Sequence, residues 1–149
     1  ENMEVLKNRN SKSDIILTPH LGEFSRLTGL SVEEITANRF SLLKEFCGKY
    51  NVNVILKSET SVSCTAAGNI VINNTGNEQL ASAGSGDVLS GIVVSLLAAT
   101  GDAASAMICG NYIHGRLAES YYDKFGNKQS ATQQDLIKFI PDVITELLN

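Results

Sequence analysis

Short apolar runs alternate along this chain with longer segments whose apolar residues recur at helical spacing. Asp14-Ile15-Ile16-Leu17 reads as a short buried strand, stopped by Thr18-Pro19 because proline donates nothing to a ladder. His20, Gly22 and Glu23 then fall at its carboxyl end, the edge at which open α/β sheets bind ligands. Phe24, Leu27 and Leu30 continue at helical spacing around Gly29, and Ser31-Val32-Glu33-Glu34 has the form of a capping box. The helix it opens extends to about Lys49, with Ile35, Phe40, Leu43 and Phe46 as its buried face. Residues 52–56 form the next strand and deliver Lys57 to its end. Residues 61–65 and 70–73 flank Ala67-Gly68-Asn69, a hairpin signal. Ahead of all this, residues 1–13 are polar and mixed in charge and read as a frayed helix end and a loop.

The second part of the pattern is helical. Residues 88–99 are apolar nearly all round, which predicts a central, buried helix. Thr100-Gly101-Asp102 ends it and caps another that runs from Ala103 to about Phe125, where Ala103, Ala104, Ala106 and Gly110 permit close packing. A last helix begins at Thr132-Gln133-Gln134-Asp135 and accommodates Pro141 only with a kink or break.

The chemistry concentrates just before the apolar helix, at Ala83-Gly84-Ser85-Gly86-Asp87. A Gly-Ser-Gly turn lets backbone N–H groups approach an anion, and the helix that starts there adds unpaired donors and the positive end of its dipole. Asp87 in the first turn is placed to take a proton from a hydroxyl beside a bound phosphate. A helix cap at Asp87 and a plain tight turn at the glycines explain the same four residues equally well. The stretch is neither G-x-G-x-x-G nor a Walker loop, which needs a lysine after its last glycine.

Composition adds limits. At 149 residues the chain is expected to be one domain, and a net charge of −4 with no basic cluster gives no reason to expect nucleic acid or an anionic membrane as partner. The apolar run at residues 88–99 is too short to span a bilayer. Cys47, Cys64 and Cys109 lack the paired spacing of a zinc or redox site and read as reduced, mostly buried, cytosolic cysteines. No metal cluster is evident. His20, just after Thr-Pro, reads as functional and His114, on an apolar helix, as a satisfied core histidine; Glu33, Glu34, Glu45 and Glu119 read as solvated helix charges. Lys57 alone could equally be an ordinary strand-end lysine. The start at Glu1, with no methionine before it, is expected to mark a processed product or a fragment.

Asn74-Thr75-Gly76-Asn77 followed by Ala83-Gly84-Ser85-Gly86-Asp87-Val88-Leu89-Ser90-Gly91 resembles the NAD(P)H-hydrate dehydratases, the YjeF C-terminal or carbohydrate-kinase family of the ribokinase-like superfamily. Leu17-Thr18-Pro19-His20-Leu21-Gly22-Glu23, Val54-Ile55-Leu56-Lys57 and Tyr112-Ile113-His114-Gly115 extend the likeness in the family's order. The resemblance implies a three-layer α/β/α ribokinase-like fold, here lacking much of the N-terminal half. It also implies repair of hydrated NADH or NADPH, coupled to cleavage of ADP or ATP with Mg2+, the ion being held mainly by nucleotide phosphates and water. By the same resemblance Asp87 is the catalytic base and lies against the hydrate ring. Gly84, Ser85 and Gly86 form the anion hole, Lys57, Ser58, Glu59, Thr60 and Ser61 hold the nucleotide, and Asn74 and Asn77 lie in the loop leading to it. His20 contacts the hydrated dinucleotide, with Glu23 beside it. Ser58 and Ala83 occupy usual glycine positions, and a positive φ at either would add strain; Leu21 replaces a usual proline.

Two other readings compete. One is a kinase of the same superfamily acting on a hydroxymethyl vitamin precursor, and it usually lacks Thr-Pro-His-x-Gly-Glu. The other is a nucleotide-binding fragment that catalyses nothing alone and needs a homo-oligomer or a second chain carrying the missing half.

Overall fold

In the computed structural model, which describes residues 4–7, 14–127 and 131–149, the chain divides into the compact units Glu1–Ile72 and Asn73–Asn149. The expectation for residues 1–13 lies outside the described residues except for a single helical turn, α1 (Glu4–Lys7).

The first unit is built on a four-stranded sheet in the order β1 (Ile16–Leu17), β2 (Asn53–Leu56), β3 (Val62–Cys64), β4 (Ile70–Ile72). β1 and β2 pair parallel, with Ile16 opposite Asn53, and the crossover between them carries α2 (Leu21–Thr28) and α3 (Val32–Tyr50). β3 and β4 form the expected antiparallel hairpin, with Cys64 opposite Ile70 and Gly68 in its turn. Alternation along β2 and β3 sends Val54, Leu56, Val62 and Cys64 into a core with Phe24, Ile35, Leu43, Phe46 and Cys47. Hydrogen bonding with Cys64 and burial push the Cys47 thiol far above its ordinary range, so it stays protonated and inert.

α3 begins as its sequence predicts: Ser31 Oγ accepts from Glu34 N–H at 3.1 Å and Glu34 Oε2 accepts from Ser31 N–H at 2.8 Å. Its buried face differs at one position. Asn38 leaves helical geometry (φ −124°, ψ 21°), which shifts the spacing between Ile35 and the next turn and turns Phe40 outward, 41% exposed, under the Arg39 guanidinium. Cys47 completes the buried stripe instead.

The second unit is helical: a 3-10 turn at Glu78–Ala81, then α4 (Ser85–Thr100), α5 (Ala103–Phe125), α6 (Gln133–Ile137) and α7 (Ile140–Leu148). Leu89 and Val93 are buried, and Gly110 of α5 lies so close to Val93 that a Cβ there would fall 2.6 Å from Val93 Cγ2. The expectation that α4 is buried all round is not met. Its neighbours α5 and α6 cover one side, while Val94 is 59% exposed on another. Pro141 sits in the first turn of α7, where its missing N–H removes no helical bond, and the break at Lys138 and Phe139 separates α6 from α7. No helix among the described residues is long and apolar enough to cross a membrane.

Candidate active site

In the first unit the parallel pairing of β1 and β2 continues past the strands. Lys57 N–H donates to Pro19 O at 2.8 Å and His20 stands opposite Lys57, so the two strand ends present a histidine and a lysine side by side. His20 also caps α2: its Nδ1 accepts from Glu23 N–H at 3.2 Å, and Glu23 Oε2 accepts from His20 N–H at 2.8 Å. Nδ1 is thereby committed as an acceptor in the neutral ring, which places the proton on the exposed Nε2, 3.6 Å from Glu23 Oε1. The His20 N–H bond above all, with the positive charges of Lys57 and Arg26, holds the Glu23 carboxyl below its ordinary range. After β2, Ser58 Oγ donates to Thr60 O at 2.7 Å, tightening the loop through the exposed Glu59 towards Ser61. Neither Ser58 nor Ala83 has a positive φ, so the two departures from glycine carry no backbone strain.

In the second unit Gly84 precedes α4 with φ 86°, a left-handed conformation in which any side chain is strained. Asp87 N–H and Val88 N–H both turn back to Gly84 O, at 3.1 and 3.2 Å, and Ser85 N–H reaches Ser82 O at 3.3 Å. The Gly84 and Gly86 N–H groups are left with no acceptor among the described residues. They stand at the positive end of a helix Ser85–Thr100, beside the exposed carboxylate of Asp87. Ser85 differs from its glycine neighbours: it is 4% exposed, and its hydroxyl lies 3.1 Å from His114 Nε2.

The loop ahead of the turn is strapped to α5. Asn73 Nδ2 donates to Asn111 O, Thr75 Oγ1 to Tyr112 O at 3.0 Å, Gly76 N–H to Glu119 Oε1 at 2.8 Å and Asn77 Nδ2 to Ala118 O at 3.0 Å. Asn77 Oδ1 meanwhile accepts from Gln79 N–H, so both ends of this side chain are engaged within the unit, whereas Asn74 is exposed. Gly115 makes the strap possible, since a Cβ there would meet Thr75 Oγ1 at 2.1 Å.

Sequence reasoning missed three of these parts. Glu119 is no solvated charge: besides Gly76 it pairs with Arg116 at 2.6 Å, and Arg116 continues to Glu146. The i, i+3 spacing of Arg116 and Glu119 is visible in the sequence, but the Gly76 N–H comes from 43 residues away. Gln133 Nε2 donates to Ser82 Oγ at 2.6 Å, beside Gly84. His114 is the buried, bonded histidine expected of it, but its partner belongs to the Gly-rich turn. Among the described residues no group of three or more His, Cys, Asp or Glu is placed to hold a metal.

A protein-family model described as NAD(P)H-hydrate dehydratase matches residues 2–142, which take in most of both units and Asp87 with the Gly-rich turn. The chain belongs to the NAD(P)H-hydrate dehydratase family. It is 34% identical over 138 residues to the bifunctional NAD(P)H-hydrate repair enzyme Nnr of Dictyoglomus turgidum, covering 93% of this chain and 27% of that protein. It superposes with TM-score 0.83 and 32% identity on the ADP/ATP-dependent NAD(P)H-hydrate dehydratase of Bacillus subtilis co-crystallized with ATP/Mg2+, over 89% of this chain and 48% of the other. A ribokinase-like superfamily protein of Enterococcus faecalis superposes with TM-score 0.71 and 26% identity, over 88% of this chain and 44% of the other. The fold is thus ribokinase-like α/β. The chain spans about a quarter of the length of the bifunctional relative and about half that of the two solved structures.

Proposed function

We propose that this dehydratase-family chain carries the nucleotide-phosphate and base part of a site that returns hydrated NADH or NADPH to the reduced cofactor at the expense of ADP or ATP. The observation that carries the reading is the start of α4, where two N–H donors without acceptors and the Asp87 carboxylate share one exposed turn. A bare hydroxide leaves a carbon poorly and phosphate leaves well, so the nucleotide's contribution is a phosphoryl group that turns the ring hydroxyl into a leaving group. Asp87 takes the hydroxyl proton as the new oxygen–phosphorus bond forms and the terminal phosphoanhydride bond of ADP or ATP breaks, releasing AMP or ADP, and the Gly84 and Gly86 N–H groups stabilise the charge on the transferring group. The ring carbon–oxygen bond then breaks, inorganic phosphate departs with the bonding electrons and the neighbouring ring carbon gives up a proton to water, restoring the ring double bond. Ser85 supports these donors from behind. By the family likeness we assign Lys57, Ser58, Glu59, Thr60 and Ser61 to holding the nucleotide and His20 and Glu23 to the hydrated dinucleotide, while Asn74 and Asn77 shape the approach to the turn.

Mg2+ would be held here mainly by nucleotide phosphates and water, as the ion commonly is. The free thiols of Cys47, Cys64 and Cys109 support a reducing, cytoplasmic setting. The exposed apolar surface of α4, Val94 above all, supports completion of the site by a second copy or a further chain, both units of this one being the C-terminal part of a single dehydratase domain.

The test is consumption of hydrated NADH with ADP or ATP and Mg2+, with release of inorganic phosphate, by the wild-type protein and by Asp87→Ala. Loss of at least a thousandfold in kcat in the variant is expected for a base at the reacting hydroxyl, on the order of the upper range for general base catalysis. Wild-type-like turnover by Asp87→Ala, or phosphorylation of a hydroxymethyl compound in place of dehydration, overturns the reading. Light scattering during turnover tests assembly: an active, monodisperse monomer excludes the need for a second chain.

A further inference from the structure

A serine between two glycines in an anion-binding turn would ordinarily offer its hydroxyl to the ligand as one more donor. Ser85 does not. Its hydroxyl is directed into the interior, 3.1 Å from His114 Nε2, and the two residues are only 4% and 5% exposed. Neither side chain has bulk water to replace the other, so losing His114 deprives the buried Ser85 hydroxyl of this partner. The surroundings make the contact a fixed one. His114 lies one turn along α5 from Gly110, whose Cα is pressed against Val93 of α4 so closely that a methyl group there would collide with Val93 Cγ2. On the other side of His114, Gly115 lies under Thr75 with no room for a Cβ. A rigid ring on a helix that cannot slide thus reaches the residue joining Gly84 to Gly86.

We propose that His114 is a positioning residue of the phosphate turn: through Nε2 it fixes the Ser85 side chain, and with it the direction of the Gly86 N–H and the Asp87 carboxylate. His114 touches neither nucleotide nor hydrate in this role and acts only through Ser85. The inference rests on the proposed reaction, and its test separates the two.

The protein is prepared as His114→Leu, His114→Gln, Ser85→Ala and the double variant Ser85→Ala/His114→Leu. ADP affinity is measured by calorimetry, kcat and KM for hydrated NADH by turnover, and folding by thermal melting. His114→Leu is expected to weaken ADP binding about fivefold, the worth of one hydrogen bond, and to lower kcat about tenfold with KM for the hydrate unchanged. Ser85→Ala should lower ADP affinity and kcat in the same direction, and the double variant should be no worse than His114→Leu alone, because the Ser85–His114 contact is already lost in that single variant. Glutamine, whose amide reaches the place of Nε2, should restore most of both. Additive losses, a glutamine variant as impaired as the leucine one, or a lowered melting temperature with wild-type ADP affinity and kcat would overturn the assignment and leave His114 a packing residue. If His114→Leu does not fold, Ser85→Ala against His114→Gln decides the question. If the wild type binds ADP without consuming the hydrate, the proposed reaction fails and the positioning role is judged on ADP affinity alone. If it binds no ADP, both fall.

Discussion

Gly115 shows how much of this site is held by the absence of an atom. The Cβ of an alanine at this position would meet the Thr75 side-chain oxygen at 2.1 Å and the Thr75 carbonyl carbon at 2.6 Å, so the strap must lift before the methyl fits. Gly115→Ala is therefore expected to cost at least the upper part of the range of about 1–3 kcal/mol seen for overpacking, and thermal melting of the variant checks it. A melting temperature within a degree or two of wild type would mean that the strap yields freely and is not a fixed part of the site. At this scale the sequence displayed donors and charges but not their partners. Asp87, Gly84 and Gly86 were identifiable because their chemistry is local to one turn. Glu119 and the Ser85–His114 pair were not, because each joins residues brought together only by packing of α5 on what precedes it.

Among the elements, those announced by short-range chemistry formed where expected. Ser31 and Glu34 close a capping box, and Thr132 and Asp135 close another at the start of α6. Asp135 takes bonds from the Thr132 hydroxyl and from Lys138, and these hold its carboxyl at about 2, below the ordinary value of 3.8. A depressed folded-state pKa means a contribution to stability that is complete above the ordinary carboxylate range and is lost as pH falls through the folded value. The stability of the protein is accordingly expected to decline as pH is lowered from about 4 to about 2, and the decline should be shallower in Asp135→Asn. A carboxyl titration of Asp135 by NMR with its midpoint near 4 would contradict this. Ser31→Ala, which removes the Oγ that receives Glu34 N–H, should cost about 1 kcal/mol in a denaturant melt. Where an element differs from its reading, the causes are of two kinds. In α3 the kink at Asn38, inside the helix, exposes Phe40, while α4, apolar on every side, is covered by its neighbours on one.

For the molecule as a whole, the order of strand, helices, strand and hairpin, then glycine-rich turn and helices, was legible because each change of hydrophobic period is marked by proline, glycine or a capping residue. The ribokinase-like fold was legible only through the family motifs, since four strands and a helical unit fit many α/β proteins equally well. Binding of nucleotide to the turn predicts a global effect by mass action. ADP at a hundred times its Kd should stabilise the protein by about 2.7 kcal/mol, visible as an upward, concentration-dependent shift of the thermal midpoint. No shift with millimolar ADP or ATP would argue against a nucleotide site anywhere on this chain.

The bond from Gly76 to Glu119 gives the site its own spectroscopic signal. A glycine amide donating to a carboxylate resonates downfield in a sparsely populated region of the nitrogen–proton correlation spectrum, and it exchanges with deuterium only when that bond opens. The Gly76 resonance thus reports, at one atom, whether the strap is closed on α5, and following it while ADP is added would show whether the ligand is felt beyond the turn it occupies.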